Sequence, residues 1–422
     1  MRIQLNTLCC LGFGFSVLFL SNTANSATDL KTNETKLKID YSIHCNRNAP
    51  TAFPGLVVEA TFQERTVRMN LFKYNHSAES LLGNLQNLSL SDLHLQVLPS
   101  ENCTLDQLSP QLESLSLDPK KMSDLAILHS PYLVLRDDQV ENIDRDVHLG
   151  IAYSVIPQDS GFSIRYTYFF SNETVKGLFA TTKAKSLGSW GRRCDIEWIY
   201  QVDFENDGTV ANRIYQGGIV GGIDHKTHKF NGEFLENTEH PILYDIAKHN
   251  VFGTRAPHKS TEMIGGHPNP DSEIKAPLAR ENWLWDRPWT FDVTDRELAR
   301  DGKLTQDSGH YLYVRLAGSL GGGKIQTSIR NKGSDQVVLA GEGTATINSL
   351  GSDLWGVESY SAIEFNSDSS LSGGSLHIKR SRPSVNLKSP NFFRLIPDEE
   401  QGFKVANVSS QFTCASAYDC EF

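Results

Sequence analysis

The stretch Gly191–Phe204, GRRCDIEWIYQVDF, sets two arginines, Arg192 and Arg193, just before two acids, Asp195 and Glu197. An apolar, aromatic run follows, which predicts a strand. Side chains two apart on a strand share a face, so the spacing predicts neighbouring carboxylates ~6–7 Å apart at a sheet edge. Acids that close repel, and one pKa rises. Glycoside hydrolases exploit such a pair as acid and base, which gives Asp195 and Glu197 catalytic roles with His240 assisting, if the chain is an enzyme. Their charge must be offset by a bound cation or by Arg192 and Arg193, and those arginines also suit a ligand of negative charge.

Histidine supplies the second group. Six of the thirteen histidines fall between His225 and His267. Imidazole and carboxylate are the usual ligands for zinc and for harder ions. Asp224, His225, His228 and His249 therefore join Asp195 and Glu197 as a candidate set for a divalent metal ion: calcium, magnesium or zinc. The blander account of these histidines is a hydrogen-bonded loop. In NWLWDRPWTF, Trp283 and Trp285 could stack on a sugar ring, or simply pack a junction with Trp289. GSLGGGK, Gly318–Lys324, falls short of a phosphate loop because Ile325 stands where Ser or Thr is needed and a strand follows. Serine-hydrolase elbows, H-E-x-x-H and C-x-x-C motifs are absent from the sequence.

The elements that must carry these residues read as strands. Residues 1–26 have the layout of a secretory signal: Arg2, the apolar run Leu8–Leu20, then small polar residues. That run is shorter than the ~20 residues a membrane span needs, so the expectation is a secreted chain, extracellular or periplasmic, without a transmembrane segment once mature. Net charge is −10, which disfavours nucleic acid as a partner. Cys45 with Cys103 and Cys414 with Cys420 are the natural disulfides of an exported chain, with Cys194 left over. Six N-x-[ST] sequons occur, at Asn33, Asn75, Asn87, Asn102, Asn172 and Asn407.

Alternating and β-branched segments recur along the chain, separated by turn signals such as ENDG. They predict an all-β protein: an N-terminal β-rich region over 27–125, a central β-sandwich with a His-rich loop over 126–280, and a C-terminal β-sandwich over 281–422. LSPQLESLSLDPKKMSDLA reads as loop with a short helix. PWTFDVTDRELA, rich in aromatic and β-branched residues, reads as strand.

Across residues 131–258 the chain resembles two related groups. GRRCDIEWIYQV is similar to the G-H-R-H-D-W-E-H-V signature of the necrosis- and ethylene-inducing proteins, secreted β-sandwich cytolysins. It also resembles the D-W-E motif of the vacuolar protein sorting 62-related family, with IRYTYFF upstream and EHPILYDIAKHN downstream in matching order. The resemblance implies that Asp195 and Glu197 are acidic metal ligands serving a glycolipid head group. Arg192 and Cys194 stand where the signature has histidines, and Ile196 replaces its tryptophan; His240 and His249 match the second family. Three functions follow as expectations. The first is binding of glycan or glycolipid head groups at a cell surface, metal-assisted and lytic. The others are hydrolysis of polysaccharide and a non-catalytic envelope or adhesion module.

Overall fold

The structure, a computed structural model, describes residues 32–421 apart from 47–50, 86, 143–144, 173–190, 218–225, 248–250, 257–258, 269–271, 275–281, 303, 305, 320–324, 332–336, 340–356, 365–373, 381–385 and 389. Strands dominate and helices are short, so the protein is all-β.

Thr32–Cys45 is the central strand of a three-stranded antiparallel sheet, flanked by Ser77–Gly83 and Cys103–Leu117. Its alternation sends Leu37, Ile39 and Tyr41 to one face, where they pack with Val58, Ala60, Val67 and Met69 of the hairpin Gly55–Phe62/Arg65–Phe72. Each such buried aliphatic contributes about 1.5–3 kcal/mol. The disulfide Cys45–Cys103 ties the central strand to its neighbour. The segment read as loop, Leu108–Leu117, is instead part of the long strand Cys103–Leu117. Pro110 is tolerated there because the strand lies at the edge of its sheet, where a missing N–H costs no ladder bond.

The hairpin also belongs to a twelve-stranded sheet that runs on through the central residues. Glu262–Gly265 pairs with Arg65–Phe72 on one side and with Tyr132–Val134 on the other. The expected division at residue 125 is therefore bridged by backbone hydrogen bonds, and one sheet serves both regions. Ile242–Ala247, Val251–Gly253, Val210–Gly217, Asp195–Glu205, Gly161–Phe170 and His148–Gln158 complete the order. These strands enclose an aromatic core of Tyr166, Tyr168, Phe170, Tyr200, Phe204 and Phe252. The helix Met122–Leu128 packs Leu125 and Ala126 into it, and the Ala126 carbonyl accepts from the Tyr166 hydroxyl at 2.8 Å. The His-rich stretch supplies several of these strands, so much of it is sheet rather than loop.

In the C-terminal part, two five-stranded sheets sandwich Leu312, Val314 and Leu316 against Ile325, Ile329, Leu376 and Ile378. Cys414–Cys420 joins the two strands of its last hairpin. PWTFDVTDRELA forms the helix Trp289–Arg300 rather than a strand. Pro288 opens it, and Trp289, Phe291, Val293 and Leu298 are buried along with Thr290, Thr294, Asp295 and Glu297. The helix buries most of its surface and leaves Asp292, Arg296 and Arg300 as a half-exposed polar stripe, and its strand-like residues are overruled by packing. It lies in a core shared with Phe72, Phe169, Ile196, Tyr311 and Tyr313, which joins the C-terminal sandwich to the long sheet.

Candidate functional site

The strand Asp195–Glu205 pairs along its length with Gly161–Phe170, while Val210–Gly217 flanks its other side only from Tyr200 to Phe204, so among the described residues Asp195 and Glu197 have one neighbouring strand. Asp195 stands opposite Phe170 and Glu197 opposite Tyr168, and directly opposed residues share a face. The two acids therefore share a face, turned toward the aromatic core. A bulge between Trp198 and Tyr200 then shifts the alternation by one, so that Tyr200 and Val202 face the same core. Asp195 is buried, and the Gln216 amide donates to Glu197. Across the same sheet, His148 opposes Phe170 on its other side. His148 and Asp195 thus lie two strands apart on one face, about 10 Å between backbones.

The arginines part company. Arg193 turns away from the acids to the C-terminal part. Its guanidinium meets Asp295 at 2.8 Å, the Gln306 carbonyl at 2.6 Å and the Tyr311 hydroxyl at 3.0 Å. Asp295 also accepts from the Ser308 backbone N–H and hydroxyl. Burial raises the Asp295 pKa to about 6 even with Arg193 beside it. Arg192 donates to the Cys194 carbonyl, and Cys194, outside both disulfides, is buried. Arg193 is therefore enclosed in a seam between sheet and helix, which removes it from a ligand-facing surface. The same seam continues through Glu297, which accepts from the Asp146 N–H, Ser171 and Asn172, and Asp146 pairs with Arg136.

His240 is fully buried. Its Nδ1 lies 2.8 Å from the Ser130 carbonyl and its Nε2 3.5 Å from Glu34, so it pins the three-stranded sheet to the long one. No substrate reaches it there, which corrects its assignment as a catalytic assistant. His228 lies on the short strand Lys226–Lys229, its Nε2 3.1 Å from the Gly217 carbonyl. Asp224, His225 and His249 lie outside the described residues. Among the described residues no three His, Cys, Asp or Glu side chains converge to hold a metal. Asp195 and Glu197 supply hard oxygens of the right kind, but no described side chain joins them as a third ligand.

Trp285 is packed among Phe291, Tyr313 and Phe393. Trp283 stacks on Phe169 at 4.0 Å, with the Arg287 guanidinium 4.4 Å from its ring centroid. Two groups that close cannot share a face, so both faces are covered and sugar stacking is closed to this ring. Its edge is another matter.

Trp283 lines a cavity of about 190 Å³ where Arg65–Phe72, Ser77–Gly83, His148–Gln158 and Glu262–Gly265 come together. Arg68, Asn70, Glu79, His148, His267 and Ser272 share its wall. Three of these rings carry a buried nitrogen without a hydrogen-bond partner: Trp283 Nε1, His148 Nε2 and His267 Nδ1. Burial pushes the His148 pKa down to about 3 and that of His267 to about 4, so both imidazoles are neutral. Glu79, held by Lys36 at 2.9 Å, lies 3.6 Å from His267 Nδ1. Gly150 permits this arrangement: a Cβ there would stand 2.6 Å from the Trp283 ring.

Chemically, the wall offers a donor, an imidazole acceptor, hydroxyls and one carboxylate in a site of single-ring size. At about 30 Å³ per water, it has room for roughly six waters. Trp283 was legible as a candidate, although its faces are covered and it lines the cavity by its edge. Arg68, Glu79 and His148 were not, since each sits alone in an apolar strand and only strand pairing assembles them. No protein-family model, curated protein or solved structure matches this chain.

Proposed function

We propose that this is an exported all-β protein that binds glycan or glycolipid head groups at a cell surface without turning them over, with the Trp283 cavity holding one sugar ring. The observation that carries the reading is a polar cavity of single-ring size in which Trp283 Nε1, His148 Nε2 and His267 Nδ1 hydrogen-bond no protein group. The hydroxyls of a sugar, which both donate and accept, could bond these nitrogens in place of water. Two disulfides fit an oxidising compartment, and among the described residues no helix is long and apolar enough to cross a membrane.

Hydrolysis is less well supported. It calls for two carboxylates flanking the bond, whereas among the described residues Glu79 is the one carboxylate on the cavity wall, and Lys36 already holds it. Retention of the full chain on an immobilised glycan panel, with no reducing ends released, is the expected result. Release of reducing ends would favour the hydrolase, and no retention on any glycan would end the reading. Membrane damage after binding, suggested by the cytolysin resemblance, is measured by dye release from glycolipid vesicles.

A further inference from the structure

We infer that the cavity selects an uncharged sugar and rejects carboxylated, phosphorylated or amino forms, with Glu79 disfavouring the anions and Lys36, which holds Glu79, disfavouring the amino form; this rests on the reading above.

The cations near the wall are already engaged. Arg68 bonds Glu59 and Glu262 and the carbonyls of Gln139 and Val140. Lys36 bridges Glu79 and Glu113, at 2.9 Å to each. Arg287 covers the Trp283 ring and donates to the Trp283 carbonyl. A ligand anion would thus be desolvated beside Glu79 with no uncommitted cation among the described wall residues to receive it, and burying an unpaired charge is costly.

The neutral groups point the same way. Indole N–H only donates. His148 keeps a hydrogen bond with the Gly150 backbone, so its remaining Nε2 is an acceptor on a neutral ring. A ligand ammonium would have to share Glu79 with Lys36, whose own ammonium repels it; a ligand carboxylate only accepts and would face Glu79 and the imidazole lone pair. A hydroxyl both donates and accepts, and a sugar ring carries several.

The test is calorimetric titration of the full chain with four matched probes: a neutral methyl hexoside, its uronic acid, its 6-phosphate and its 2-amino form. The neutral probe should bind at least about tenfold more tightly than the other three. Glu79→Gln, which keeps an acceptor for Lys36, should narrow the gap to the two anions to within about threefold. Trp283→Phe should weaken the neutral probe by roughly tenfold. Equal affinities, tightest binding of the amino form, or a gap unchanged by Glu79→Gln would overturn the inference. If glycans bind but neither variant alters affinity, the cavity is excluded while cell-surface glycan binding stands. If no sugar binds at all, both fall.

Discussion

The seam between the helix Trp289–Arg300 and the long sheet, and the cavity beside Trp283, are both buried and polar, yet their accounts differ. In the seam, Arg193 meets Asp295, a carbonyl and a tyrosine hydroxyl, while Glu297 meets a backbone N–H, a serine and an asparagine. In the cavity, three ring nitrogens hydrogen-bond no protein group, and only Glu79, 3.6 Å from His267 Nδ1, stands near one of them. A satisfied buried network holds two parts of a fold together. Polar groups that line a cavity without bonding one another are open to water or to a ligand. Burial of charge alone is therefore a poor guide to function.

Breaking the seam should have the largest effect. Asp295→Ala leaves Arg193 buried and unpaired, which should cost about 3–5 kcal/mol. His267→Leu in the cavity removes an unpartnered polar ring and should cost under about 1 kcal/mol, because no hydrogen bond to its Nδ1 is lost. Urea midpoints of the two variants measure the contrast. Equal losses would erase the distinction between the regions.

Next in size is Gly150→Ala. Its new methyl meets the Trp283 ring, held from behind by Phe169, and overpacking of this kind costs about 1–3 kcal/mol. Affinity for the neutral sugar should fall with it. A variant that loses stability but keeps full affinity would separate Trp283 from the ligand.

The regions should also respond to pH with opposite sign. Burial raises the Glu297 pKa to about 7. The folded protein then holds a proton that the unfolded chain has released, so this contribution is complete below about pH 4.3 and is lost as pH rises through 7. His267 is the reverse: with its pKa lowered to about 4, its contribution is complete above about pH 6.5 and is lost as pH falls through 4. Melting temperatures between pH 4 and 7 should fall less steeply with rising pH in Glu297→Gln. In His267→Gln they should rise less steeply. The same slope change in both variants would refute the assignment.

The all-β class, both disulfides and most strand positions were legible because alternation and turn residues are local signals. The shared face of Asp195 and Glu197 was legible for the same reason. The helix Trp289–Arg300 was not, since its aromatic and β-branched residues favour a strand and its polar stripe of Asp292, Arg296 and Arg300 is narrow. Nor was the seam: Arg193 and Asp295 are 102 residues apart, and only the packed fold brings them together. The cavity fell out of reach for a related cause. His148 and Glu79 each look like ordinary strand residues until Glu262–Gly265 pairs beside Arg65–Phe72. Asn172 shows the cost of reading motifs without burial, because the asparagine itself is buried and its amide donates to Glu297.

The smallest expected effect concerns the acid pair itself. Asp195 is buried and Glu197 half-buried on one face, where like charges repel, and Arg193 is engaged by Asp295. Beyond the partners the acids already have, Arg192 or a divalent cation could offset that repulsion. A cation held by two described carboxylates would bind weakly, so at three times its Kd the gain is only about 0.8 kcal/mol. The expected result is a small rise in melting temperature with calcium, magnesium or zinc in the native protein, absent in Asp195→Asn. Arg192→Gln separates the alternatives: where Arg192 compensates, that variant melts lower and divalent ions leave the native protein unmoved. A flat response to all three ions would assign the compensation to Arg192 and detach the acid pair from any metal.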